Sequence, residues 1–510
     1  MDPFQGLPSL IQTEIFEHLE TESSITQLIQ ASPSMLRHFL AYKKSILQSI
    51  LNRLLKGDTS GHLLRDALGI IYVSDITTAK AYHHGNLWQT RELPDPIGLA
   101  DLQTLFRLFS RVIIMIEDYA NKATSIYPPR SYLGLPDLIL GNEAEFKGQR
   151  LGAKTVRFSF LSPTERYRFL RAFLRHELFC RVYHPKYWHF TELDDPEDLW
   201  ARYGTSESPS LNDLSSVHEY YESVYGALCA HCQDSWLPDI PHQSATRAIE
   251  EHVKVNDGGN RVNPTSQDHG LLFPDNMFLD AEEYLEDLNY HCAGKQGDLP
   301  FFGLDLLVQL IRFLKRNPDK GKVISKWLDQ TPMRSNAPAW LDHLGDTVAS
   351  DQSYPFPDPT EGHAMKPPPR RNTVYRGSGA NQYQQRGYLS RREWRRLRAL
   401  QQGILEQRAW GFFENTRFYP ARQYFPTLND IYQLDKQQAE MFLAPKLERR
   451  RRRSQKWHDY KMGKSLDPPV ESDDDECRRV SLKGNLGPSQ RFFDSSSGSK
   501  LPVIRVSRIP

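Results

Sequence analysis

Through most of the first 330 residues, apolar side chains recur every three or four positions, the period of helices that bury one face. Residues 7–55 read as three such helices. Ile11, Ile15, Phe16 and Leu19 share one side of the first, and Ile25, Leu28 and Ile29 mark a short second. Ser32 and Pro33 have the cap and first-position chemistry that opens a third, which carries Leu36, Phe39, Leu40, Leu47, Ile50, Leu51 and Leu54 toward a stop at Gly57. Residues 101–123 are apolar around much of the circumference, as a helix surrounded by others should be. Ser162-Pro163-Thr164-Glu165 is a capping box with proline at the first helical position, and Tyr167, Leu170, Leu174 and Leu178 follow on one face. Further helices are predicted over 211–232, 280–292, 303–316 and 320–329. Between them, residues 233–275 hold turn chemistry such as Asp257-Gly258-Gly259-Asn260 and predict a long surface loop. The best strand candidate is the alternating run Thr155–Phe160, too little for a sheet. The pattern predicts an all-α protein.

After residue 350 the period breaks. Six prolines fall between Pro355 and Pro369, so 351–385 reads as a Pro-rich linker. Ser390-Arg391-Arg392-Glu393 then opens a basic helix with Trp394, Leu397 and Leu400 along one side, and a second helix is predicted over 428–453. Residues 464–510 alternate acidic, basic and Ser/Gly patches and predict a disordered tail. The organisation expected is a three-helix start over 1–56, a helical body over 57–350, the linker over 351–385, a basic helical segment over 386–463 and the tail over 464–510.

Composition adds a compartment and a charge separation. The 510 residues, 39% hydrophobic, can supply a core, while 34 prolines and a mean hydropathy of −0.59 leave room for loops. MDPFQGLPSL lacks the basic stretch and apolar run of a secretory signal. The most apolar stretch, Leu102–Ile116, is interrupted by Arg107 and Arg111 and is shorter than the ~20 residues that cross a bilayer, so no membrane association is expected. Five scattered cysteines fit a reducing compartment, nucleus or cytoplasm. The net charge of +1 is a mean: residues 366–463 hold about 22 Lys and Arg against about 8 Asp and Glu, so this window is near +14 and the remainder near −13. An acidic body is joined to a basic arm.

Few motifs carry chemistry. His176-Glu177-Leu178-Phe179-Cys180 begins like a zinc-protease helix but has cysteine where the second histidine should stand. Cys229-Ala230-His231-Cys232 has half a zinc site's spacing, yet lies in a predicted helix beside Tyr221, Val224, Tyr225 and Leu228, where buried cysteines are commoner than ligands. There is no phosphate-binding Gly-x4-Gly-Lys-Ser/Thr loop and no Gly-x-Ser-x-Gly elbow, and the acids Asp194, Asp195 and Asp198 suit a helix start. The expectation is a non-enzyme with no metal and no cofactor. Arg449, Arg450, Arg451, Arg452 and Arg453 form a run dense enough for an import receptor or a phosphate backbone, with Trp457 and Tyr460 able to stack on bases; the expectation is a flexible, exposed nuclear-localisation signal. Ser472, ahead of Asp473-Asp474-Asp475-Glu476, and Ser481, behind Arg478-Arg479-Val480, resemble acidophilic and basophilic kinase sites.

The order Leu7-Pro8, Ile11, Glu14-Ile15-Phe16, Leu19, then Ile25, Leu28, Ala31-Ser32 and Leu36 resembles the F-box, over about a tenth of the chain. The long third helix looks like the F-box-like version common in fungal proteins. Leu10 stands where the family usually has Glu after Leu-Pro-x, and Met35 and Leu36 where it often has Trp. The resemblance implies docking to a Skp-type adaptor of a cullin-RING ubiquitin ligase through Leu7, Pro8, Ile11, Ile15 and Leu19, with the rest of the chain acting as substrate receptor for an unknown protein. The alternative is a nuclear, nucleic-acid-associated protein that uses the basic segment.

Overall fold

The computed structural model describes residues 2–84, 97–138, 144–152, 156–187, 211–237, 273–285, 296–330, 391–420 and 425–465. The predicted linker, most of the 233–275 loop, Asp194, Asp195, Asp198, Ser472 and Ser481 lie outside them. The chain divides at His458 into a large unit, 1–458, and a second, 459–510. The described residues are mostly helical, as the periodicity predicts.

The N-terminal unit is built from α1 (Ser9–Glu17), α2 (Glu22–Ala31) and α3 (Pro33–Leu54). Thr21 Oγ1 accepts from the Ser24 amide to cap α2, and Ser32 Oγ accepts from Met35 N at 3.1 Å to cap α3 behind Pro33. Phe16, Ile25, Met35, Phe39, Ile46, Leu47 and Ile50 make a small core that is completed by Phe106 from outside the unit. It therefore leans on the body.

The body follows as α4 (His62–Tyr72), α5 (Ile76–His84), α6 (Leu99–Ala123), α7 (Pro128–Tyr132), α8 (Pro163–Val182), α9 (Leu211–Cys232), α10 (Ala281–Leu285), α11 (Gly303–Arg316) and α12 (Gly321–Gln330). Its centre is the meeting of α6, α8 and α9. Tyr119 lies 4.9 Å from Tyr220, the rings tilted by 38°, and 6.1 Å from Phe169, ring centre to ring centre, in the edge-on arrangement that aromatic quadrupoles favour. Inside this core Arg175 of α8 meets Asp66 of α4 at 2.9 Å with both side chains buried. Helices α9 and α10 approach so closely that a Cβ on Gly226 would fall 2.9 Å from the Ala281 backbone.

Two expectations fail for physical reasons. Val156–Phe160 is not a strand: a 3-10 turn occupies Phe158–Phe160, and the backbone is satisfied by side chains of α6. Asn121 brackets Val156, accepting its N–H at 2.9 Å and donating to its carbonyl at 2.7 Å, and Glu117 accepts from Phe158 N. Among the described residues the strands are β1 (Glu145–Phe146) and β2 (Gln149–Arg150), joined through Lys147 and Gly148, both with positive φ, the geometry that matches hairpin twist.

The basic segment, second, is not a separate piece. It contains α13 (Arg391–Gln407), α14 (Leu428–Met441), α15 (Pro445–Arg452) and α16 (Gln455–Lys461), so the single helix predicted over 428–453 is two, parted where Phe442 is extended and Pro445 restarts the turn. Phe412 and Phe413 join the body's core, with Phe412 stacked 4.5 Å from Phe169. Glu165, having closed the predicted capping box on Ser162, also accepts both arms of the Arg417 guanidinium and the Glu414 amide. The charge separation in the sequence is an internal complement.

Candidate functional site

The start of α1 is held rigidly. Gln12 is turned inward and its Nε2 donates to the carbonyls of Phe4 at 3.0 Å and Leu7 at 3.1 Å, fixing the Leu7-Pro8 entry. Asp2 accepts from the Ser34 amide, the Ser34 and Ser32 hydroxyls and the Phe4 amide, and these donors, the Ser34 amide first, hold its carboxyl well below the usual range. His38 of α3 contacts Thr13 Oγ1 at 2.8 Å and Ser9 Oγ at 3.5 Å, tying α3 to α1; burial lowers its pKa.

This framework sorts the five residues carried over from the F-box resemblance. Pro8 and Ile11 are exposed and Leu7 is half-buried, whereas Ile15 and Leu19 pack against the small core. They are structural, because α1 must cover Phe16 and Phe39 before it can offer anything outward. The most exposed apolar side chain on α1 is Leu10, at 77%, and α3 leaves Leu36 and Leu40 exposed one turn apart. None of these three is among the expected contacts, although Leu10 breaks the family pattern and falls off the helical stripe, which is the signal that marks it.

The second site is the arginine run, and its setting corrects the expectation of a flexible, exposed signal. Arg449 and Arg453, four apart, share the inward side of α15. Arg449 reaches Asp275 through two nitrogens, at 2.6 and 3.1 Å, with Glu283 at 3.5 Å and Asp280 at 3.6 Å. Arg453 bonds Glu283 at 2.5 Å, lies 3.6 Å from Asp275 and sits over the Tyr284 ring. Burial alone would raise the Glu283 carboxyl, but Arg453 and Arg449 outweigh it and hold it below its ordinary value. The strap continues as Arg453 O accepts from Trp236 N at 2.8 Å and Asp234 accepts from Ser454 Oγ at 2.6 Å. Arg450 and Arg451 are exposed on the other side.

The remaining chemistry-bearing residues are interior. His176, Glu177 and Cys180 are buried on α8; Cys180 Sγ donates to Pro300 O, and Glu177 accepts from Leu304 N at 2.7 Å beside Gly303, whose φ of 74° lets the chain pass the carboxylate. His231 meets Leu133 O at 3.1 Å, and burial pushes it down to about 4. Among the described residues no group of three or more His, Cys, Asp or Glu side chains is arranged to hold a metal.

Where the arm enters the body, α13 ends in a buried polar knot. Gln407 donates to Leu279 O at 2.7 Å and Glu219 Oε1 at 2.9 Å, and accepts from Leu279 N. Burial pushes the neighbouring Glu406 up to about 7 against donors from Ser215 and Gln402. A carboxyl raised in the folded state contributes fully below its unfolded pKa of about 4.3 and loses that contribution as pH rises through its folded value. Glu406→Gln keeps an acceptor for Ser215 but cannot titrate. It is expected to match the wild type near pH 4 and to exceed it by up to ~3 kcal/mol above pH 7, read by urea unfolding at both pH values; equal stability at high pH would refute the assignment.

No protein-family model, curated protein or solved structure matches the chain. Among the described residues no helix is long and apolar enough to cross a membrane.

Proposed function

We propose that the chain is a docking protein whose α1–α3 unit captures a Skp-type adaptor of a cullin-RING ubiquitin ligase, while the body presents another partner. The observation that supports this most is the pinned entry to α1: Leu7-Pro8 is fixed by Gln12, and Pro8, Leu10 and Ile11 are left outward. Large apolar side chains held at a surface gain more by docking than mobile ones, because little ordering entropy remains to be lost.

The expected contacts shift accordingly toward Leu7, Pro8, Leu10 and Ile11. Each leucine or isoleucine newly buried contributes roughly 1.5–3 kcal/mol, so Leu10→Ser with Ile11→Ser should weaken capture of a purified Skp-type adaptor by the full chain about a hundredfold or more. The far-ultraviolet spectrum and unfolding midpoint should hold. Wild-type protein that ignores the adaptor, or a double variant that binds as tightly, would end this reading. Ile15→Ala or Leu19→Ala should instead lower stability, since both pack inward.

A further inference from the structure

Helix α13 ends against the body on three tyrosine hydroxyls. Tyr119 of α6 donates to Glu406 O, Tyr132 of α7 to Gln407 O and Tyr419 to Arg408 O, each at 2.5 Å, so three successive carbonyls are fixed from three parts of the chain. Arg408 is thereby held in the interior, with 8% of the residue exposed. Among the described residues four arginines are buried, and three of them have carboxylates at hand: Arg175 bonds Asp66, Arg453 bonds Glu283, and Arg171 has Asp66 and Asp213 within electrostatic reach. Among the described residues the fourth, Arg408, has none. Burial lowers its pKa, and what opposes this is the pair of Tyr419 and Tyr132 hydroxyls, both already committed as donors to the backbone. Its Nε is fully enclosed and unbonded. The acids of this region are engaged elsewhere: Glu406 accepts from Ser215 and Gln402, Glu219 from Gln407, and Glu165 from Arg417. A cation at a helix C-terminus commonly leans on the last carbonyls, but here the tyrosines occupy them.

We propose that Arg408 anchors a binding site for a small carboxylate at the joint where the basic segment enters the body. An arginine does not shed its proton, so burying one without a counter-charge is costly, and a carboxylate supplies the charge the fold leaves out. The two oxygens of a carboxylate match the guanidinium fork, and with Nε enclosed the end-on Nη1–Nη2 edge is the one left to meet them. One guanidinium, with no second cation beside it among the described residues, suits a monoanion rather than a phosphate. The narrow opening admits a small molecule and not a protein surface, so the site is independent of adaptor docking at α1. Occupancy there tightens the joint, because Arg408 is tied through Tyr132 and Tyr419 to α7 and to the chain beyond Phe413.

The test is thermal unfolding of the full-length protein in sodium acetate against sodium chloride at equal ionic strength, with acetamide as the uncharged isostere. Acetate is expected to raise the midpoint saturably, and acetamide to leave it unchanged. With acetate at about a hundred times its dissociation constant, the unfolding constant should fall about a hundredfold. Arg408→Met keeps an apolar stem without the charge and should abolish the acetate response. Arg408→Lys keeps the charge without the fork and should weaken acetate binding about tenfold or more, which gives the answer if the methionine variant does not fold. A wild-type midpoint that shows no saturable response to acetate would overturn the proposal, since solvent would then already satisfy the guanidinium. So would an equal response to acetamide or to sodium phosphate, or an acetate response that either folded variant retains in full.

Discussion

Phe412→Ala is expected to destabilise the whole large unit by about 3–5 kcal/mol, the cost of emptying a fully buried aromatic site. The residue lies beyond the Pro-rich stretch, in the segment the sequence sets apart. Yet its ring stacks on Phe169 and meets Tyr119 edge-on at 5.9 Å, two of the side chains at the centre of the body. Since a domain holds roughly 5–15 kcal/mol in total, such a loss takes a large share of its stability. Denaturant unfolding followed separately by tryptophan fluorescence and by helicity should shift together. If the variant released residues 391–458 to protease while the body unfolded unchanged, the segment would be an appendage.

Arg453→Ala should cost a similar ~3–5 kcal/mol, for a different reason. Asp275 is buried and Glu283 half-buried beneath it, and removing one partner leaves carboxylates desolvated with less compensation. The pairing also fixes a pH window. Glu283 is held below its ordinary value, so its contribution is complete above the unfolded pKa of about 4.3 and lost as pH falls through the lower folded value. Below that lowered value the Glu283 part of the difference between variant and wild type should therefore disappear from the unfolding free energy; a full difference persisting there would show that packing over Tyr284, not charge, is what Arg453 supplies. The proposal that the run directs nuclear entry acquires a cleaner test from this. Replacing all five arginines would break the Arg449 and Arg453 ion pairs as well as remove the charge, whereas Arg450→Ser with Arg451→Ser keeps the pairs with Asp275 and Glu283 and removes Arg451 from the Trp457 ring.

The helices were largely legible in the sequence, because caps and apolar spacing act over a few residues. Ser32-Pro33 and Ser162-Pro163-Thr164-Glu165 start helices where their side-chain chemistry requires it, and the opposed charges of body and arm were countable. What local patterns cannot contain is the partner of each face. Arg449 and Asp275 are 174 residues apart, and nothing near either one marks the pairing. The period that places Ile15 and Leu19 on one stripe says only that the stripe is covered; the structure covers it with α3 and turns Leu10 outward instead. The alternation in Thr155–Phe160 was a strand signal, overridden because Asn121 and Glu117 bond the backbone that a neighbouring strand would have bonded. Sequence by itself determined where helices begin, which faces are apolar and which segment of the chain is basic. Only the tertiary structure decided which side chains remain outward, because that depends on what distant segments bring to the other side of each helix.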